Sequence, residues 1–61
     1  MNLLDYEGRN VRITCHSGNV YEGIAEDYTN PWDNEENIAS ICIGENTELY
    51  ENEIKRIEII D

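Results

Sequence analysis

Cations are scarce in this chain. Four Lys and Arg stand against fourteen Asp and Glu, a net charge of −10 over 61 residues. That much negative charge repels phosphate backbones. It argues against non-specific nucleic-acid binding, which depends on counterion release by clustered Lys and Arg. Histidine and cysteine are sparser still, at one and two. His16 is next to Cys15, and adjacent strand residues point to opposite faces, so that pair cannot chelate one ion. No metal and no cofactor is expected. A catalytic nucleophile needs a base within reach and a group to orient that base. One histidine without a serine or cysteine partner set, and no phosphate-cradling glycine loop, does not supply them. No enzyme is expected.

Long apolar runs are also missing. None approaches the roughly 20 residues needed to span a membrane, so no membrane partner is expected and the chain is read as soluble and cytoplasmic. Cys15 and Cys42 lie in strand-like runs with no secretory leader ahead of them. Two such thiols are expected to be plain buried residues rather than a bridge.

The length allows one domain, residues 1–61. A domain of this size buries only about 60% of its unfolded surface. Disulfides, a metal or self-association usually supply the missing stability. With the first two set aside, association with copies of itself is what remains. At 30% charged residues but with regular Val, Ile and Tyr spacing, the chain does not carry the signature of disorder.

The pattern along the chain is all-β. Leu3, Leu4 and Tyr6 suit a short N-terminal helix of one turn, capped by Asn2 and ended by Gly8. A first strand is expected from Asn10 to His16, with Val11, Ile13 and Cys15 on one face and Arg12, Thr14 and His16 on the other. Ser17-Gly18-Asn19 is a turn, and a second strand runs from Val20 to Tyr28. Gly23 lies inside that strand, where a glycine marks a bend or a close backbone approach. Asn30 to Asn37 reads as a loop. Strands follow over Ile38–Ile43, Glu48–Tyr50 and Ile54–Ile60, with Asn52 in a tight connection. Five short strands with one bent in the middle predict a small, strongly bent barrel. The expected core is Leu3, Leu4, Val11, Ile13, Cys15, Tyr21, Ile41, Ile43, Ile54, Ile57 and Ile59.

This order of parts resembles the Sm-like (LSm) family, which includes the bacterial Hfq proteins. Gly8, Val11, Ile13, Gly18, Tyr21, Gly23 and Tyr28 match its first motif. Leu49-Tyr50-Glu51-Asn52-Glu53-Ile54-Lys55-Arg56-Ile57 aligns with the second. The resemblance covers nearly the whole chain and implies an SH3-like, five-stranded Sm barrel capped by a short N-terminal helix. It further implies that the fourth strand of one copy pairs with the fifth of the next. Rings built this way bind RNA near the pore.

The chain departs from the family where that RNA pocket lies. The pocket's aspartate position falls on Thr29, its asparagine position on Asp33, and its Arg-Gly on Tyr50-Glu51. An insertion would instead place Asn30 or Asn34 in the pocket. Candidate RNA contacts are therefore Tyr28, Thr29, Asn30, Trp32, Asp33, Asn34, Tyr50 and Glu51. Binding would rest on stacking and polar base edges rather than on phosphate charge. Trp32 has two readings of equal weight: a base-stacking or partner-anchoring residue, or a lid folded over its own barrel end. Asp33, Glu35 and Asn37 alternate as calcium ligands might, but Ile38 stands where a turn glycine is needed, and a solvated acidic loop accounts for them better. Arg9, Arg12, Lys55 and Arg56 are read as partial neutralisation of an acidic surface.

Two functions compete: a ring binding single-stranded RNA, or a protein-interaction or structural oligomer that keeps the fold without the RNA pocket. Both require a homo-oligomer, expected as a ring of about five to seven from the resemblance. Its interface is expected to use Glu48, Leu49, Tyr50, Ile54, Arg56, Glu58 and Ile60. Isoleucines on both faces of the last strand, Ile57 and Ile59 against Ile54 and Ile60, suit a strand covered on both sides.

Overall fold

The computed structural model describes all 61 residues, Met1 to Asp61. Five antiparallel strands carry it: β1 (Asn10–Cys15), β2 (Val20–Thr29), β3 (Ser40–Ile43), β4 (Thr47–Tyr50) and β5 (Ile54–Ile59). They form one sheet in the order β4-β3-β2-β1-β5. Its two ends, β4 and β5, are not hydrogen-bonded to each other, so no ladder closes it.

The expected N-terminal helix is only a 3-10 turn, Leu3–Tyr6. Asn2 caps it through its Oδ1, which accepts from the Leu4 N–H at 3.2 Å. The turn stops because the next residues are drawn into the sheet. Gly8 donates to the Ala25 carbonyl at 2.7 Å, and the Ala25 N–H donates to the Arg9 carbonyl at 2.9 Å.

β2 serves both halves of the sheet. Its residues from Val20 to Ile24 pair with β1, and those from Ala25 onward pair with β3. Gly23 sits just before this handover, where a Cβ would lie 3.0 Å from Ile43 Cγ2. The close approach expected of this glycine is therefore to the side chain of β3.

Two register shifts reset which side chains face inward. Between β2 and β3 the pairs are Glu26 with Cys42 and then Thr29 with Ser40, so β2 holds one extra residue there. Asp27 takes φ +53° within that bulge, a left-handed conformation that Asp tolerates better than most residues. The shift turns Tyr28 inward, against the core. Between β1 and β5 the pairs are Thr14 with Arg56 and Cys15 with Ile54, which leaves Lys55 as the extra residue. Ile54 thereby joins the inner face, 3% exposed. Unbroken alternation would set it opposite Ile57 and Ile59, although it belongs to the expected core.

The buried core is Leu3, Val11, Ile13, Cys15, Ala25, Ala39, Ile41, Ile43, Leu49 and Ile54. Four residues expected in it are less covered. Leu4 is exposed because a single 3-10 turn buries only one of its two leucines. Tyr21 and Ile57 are half-buried at its margin. Ile59 faces the same way as its partner Val11 but is 44% exposed, because β5 has no strand on its far side. No helix is long and apolar enough to cross a membrane.

Candidate interaction site

The loop from Asn30 to Asn37 folds into a braced knob rather than an irregular loop. Pro31–Asp33 forms a 3-10 turn with Asn30 as its N-cap. Proline at the first helical position has its φ preset and gives up no needed N–H. The Asp33 N–H donates to Asn30 Oδ1 at 3.1 Å, and Asn30 Nδ2 donates back to Asp33 Oδ2 at 2.8 Å. Asn34 Nδ2 donates to the Ile38 carbonyl at 2.7 Å and to Ser40 Oγ at 3.0 Å. Ser40, fully buried, passes the chain on by donating to Glu48 Oε2 at 2.8 Å. The loop is thus tied to β3 and β4 by a relay of side chains.

The eight RNA candidates divide sharply under this geometry. Asn30, Asp33 and Asn34 spend their polar groups holding the knob together. Tyr28 is packed against the core, and Thr29 pairs with Ser40. The Glu51 N–H donates to the Ala39 carbonyl at 2.9 Å, which starts a 3-10 turn (Glu51–Glu53) between β4 and β5. Tyr50 is half-buried. Its phenol is pushed up by desolvation, then by a hydrogen bond and the charge of Glu36, with Glu48 and Glu35 adding to it. Thr29 and Glu51 are engaged here through their backbone, and Trp32 is 88% exposed. The reading of Trp32 as a lid over its own fold is overturned, since the braced turn projects the indole into solvent.

Charge is segregated across the sheet. Between Ile13 and Ile54 there are ten carboxylates and no Lys or Arg, an asymmetry legible in the sequence that the whole-chain charge conceals. On β2, β3 and β4 the paired residues Glu26, Cys42 and Glu48 make one acidic row. Three of the four cations are already in ion pairs. Arg9 Nε meets Asp61 Oδ2 at 3.1 Å, Arg12 Nε meets Glu22 Oε2 at 2.6 Å, and Arg56 Nε meets Glu58 Oε1 at 3.4 Å. The Glu22 hydrogen bond raises Arg12 further.

At the sheet ends, the expected interface residues also divide. Leu49 and Ile54 are core residues, 4% and 3% exposed, because their inward side chains meet Ile41 and Cys15 across the ladder. Glu48 and Arg56 are exposed, and Tyr50, Glu58 and Ile60 are half-buried. Each of β4 and β5 has a neighbour on one side only.

Two grooves open on the surface. The larger, about 460 Å³, lies over Tyr21, Gly23, Ile43 and Thr47. The smaller, about 240 Å³, is lined by Cys15, His16, Tyr21, Leu49 and Glu53. Cys15 is buried and Cys42 half-buried, and both are free. Burial pushes both thiols up, assisted by Glu53 at Cys15 and by Glu48 at Cys42. Such thiols stay protonated and are poor nucleophiles. No cluster of three His, Cys, Asp or Glu stands ready to hold a metal ion.

No protein-family model, no curated protein and no solved structure matches this chain.

Proposed function

We propose that this chain is a non-catalytic, Sm-like protein-interaction module that assembles with copies of itself, β4 of one copy pairing with β5 of the next, into a closed bent-barrel ring. The observation that carries this reading is the strand order. It leaves two different strands as unpaired edges at opposite ends of one sheet. Head-to-tail pairing of unlike edges is heterologous and closes into a ring when the rotation allows. The side chains support it, since Ile57 and Ile59 on the β5 edge are apolar, inward-facing and incompletely covered. A strand added beside β5 would cover them and satisfy the open backbone groups that make bare edges a liability.

Single-stranded RNA at the ring pore is the weaker reading. Its support is the exposed indole of Trp32, which suits base stacking. Against it stand the internally bonded amides of Asn30 and Asn34, and three of the four cations already paired with carboxylates. Phosphate backbones need free Lys and Arg.

Light scattering at low and high salt tests assembly, and a mobility shift with a pool of short RNAs at low salt tests the alternative. The expected results are a species several times heavier than the 7.1 kDa chain and no shift. A 7.1 kDa species at every salt concentration would remove the ring. A clear RNA shift would restore the RNA reading.

A further inference from the structure

We infer that the Asn30–Asn34 knob is a docking element for a basic protein surface, with Trp32 entering an apolar pocket rimmed by Lys or Arg on the partner. This names the partner class for the protein-interaction reading above and does not depend on ring formation.

Three observations converge on it. The first is exposure. Trp32 is the chain's only tryptophan, and at 88% exposure it is the least covered of the large apolar residues. Tryptophan is among the residues most enriched at interface hot spots, where it fills a pocket and becomes fully desolvated.

The second is rigidity. Pro31, the reciprocal Asn30–Asp33 hydrogen bonds and the Asn34–Ser40–Glu48 relay hold the backbone on both sides of the indole. An anchor held this way loses little conformational freedom on binding, which is how preorganisation raises affinity. A solvated linker would need none of this bracing.

The third is charge. Asp33, Glu35 and Glu36 follow Trp32 within four residues and all are exposed. They belong to the stretch that carries ten carboxylates and no Lys or Arg. A field of one sign selects the opposite sign and repels nucleic acid and anionic membranes alike. An arginine at the pocket rim would also stack on the indole face.

The indole itself reports the test. The full-length chain is titrated with a synthetic amphipathic helix of arginine and leucine, with an apolar-free oligolysine and a single-stranded oligonucleotide RNA as controls. Expected are a saturable blue shift of tryptophan emission with the Arg/Leu helix, and roughly tenfold or greater weakening of its binding in Trp32→Ala. Trp32→Tyr should retain part of the affinity. An unchanged emission maximum at saturation, or equal binding by Trp32→Ala, overturns the proposal. So does oligolysine binding as tightly as the Arg/Leu helix, because charge alone would then suffice. A blue shift with the RNA instead would overturn it in favour of nucleic acid. The indole is exposed, so Trp32→Ala should melt with the parent. Repeating the titration on an assembly-defective Ile59→Ser chain separates failure of this proposal from failure of the ring.

Discussion

The carboxylate of Glu7 accepts a hydrogen bond from the backbone N–H of Tyr28 at 3.0 Å, across 21 residues of sequence. The contact falls where β2 bulges and the ladder to β3 slips by one residue. Glu7 reaches over from the end of the N-terminal turn to accept from this N–H. Glu7→Ala should therefore destabilise the domain by about 1 kcal/mol, read by urea denaturation. A midpoint equal to the parent's would mean that water replaces the carboxylate.

How much of this was legible in sequence depends on the distance over which each signal acts. Local signals read well: Asn2 as a cap, the Ser17-Gly18-Asn19 turn, and strand limits within two residues throughout. Alternation correctly put Val11, Ile13, Cys15, Ile41 and Ile43 in the core. Ile54, also expected in the core, is buried there, but one extra residue in β5 brings it inward against simple alternation, and no residue type announces that bulge at Lys55. Alternation also gives the face of a side chain but not whether a strand is an edge, which is why Ile57 and Ile59 were read as buried. The braced knob was readable in part. Asn-Pro-Trp-Asp is an N-cap, a first-turn proline and an acidic third position, although Ser40 and Glu48 as its supports depend on tertiary contacts.

Gly23 should tolerate nothing larger than hydrogen cheaply. Its added Cβ would stand 3.0 Å from Ile43 Cγ2, on backbone at φ +155° that side-chain-bearing residues rarely adopt. Gly23→Ala should cost about 1–3 kcal/mol by overpacking, and Gly23→Val should abolish folding. If the clash with Ile43 dominates, Gly23→Ala combined with Ile43→Ala will cost less than the sum of the two singles. Strict additivity in that cycle would place the strain in the backbone instead.

Alkali should destabilise the fold through its thiols. Burial raises both Cys15 and Cys42 above their ordinary range. For a group whose folded value is raised, the stabilisation is complete below the unfolded value and lost as pH climbs through the folded one. The melting temperature should thus hold up to the ordinary thiol range and decline above it. Cys42, half-buried, should react with a disulfide reagent before Cys15, which is 5% exposed. Equal rates for the two would show that the core around Cys15 opens as readily as the outer face of β3.

Core and edge isoleucines should respond differently to truncation. Ile13 is fully buried between β2 and β5, so Ile13→Ala should cost about 2–5 kcal/mol at any protein concentration. Ile57, opposite Ile13 on β5, is only half-buried in one chain. Its truncation should cost less in dilute protein and more as concentration rises, because the proposed assembly would stabilise the native state by mass action. A concentration-independent cost at Ile57 would count against the edge contact.

The proposed assembly through β4 and β5 would work against charge. Each added copy brings −10, and salt screens that repulsion within about 10 Å at moderate ionic strength. The oligomer should therefore tighten as salt is raised, the reverse of an interface held by ion pairs. Ile59→Ser tests the apolar part without altering charge. At 44% exposure its loss should spare the monomer's fold while shifting light scattering toward the 7.1 kDa chain. Trp32→Ala, on the loop rather than at an edge, should leave the assembled mass unchanged. An Ile59→Ser chain that assembles like the parent at every salt concentration would exclude the β5 edge as the contact.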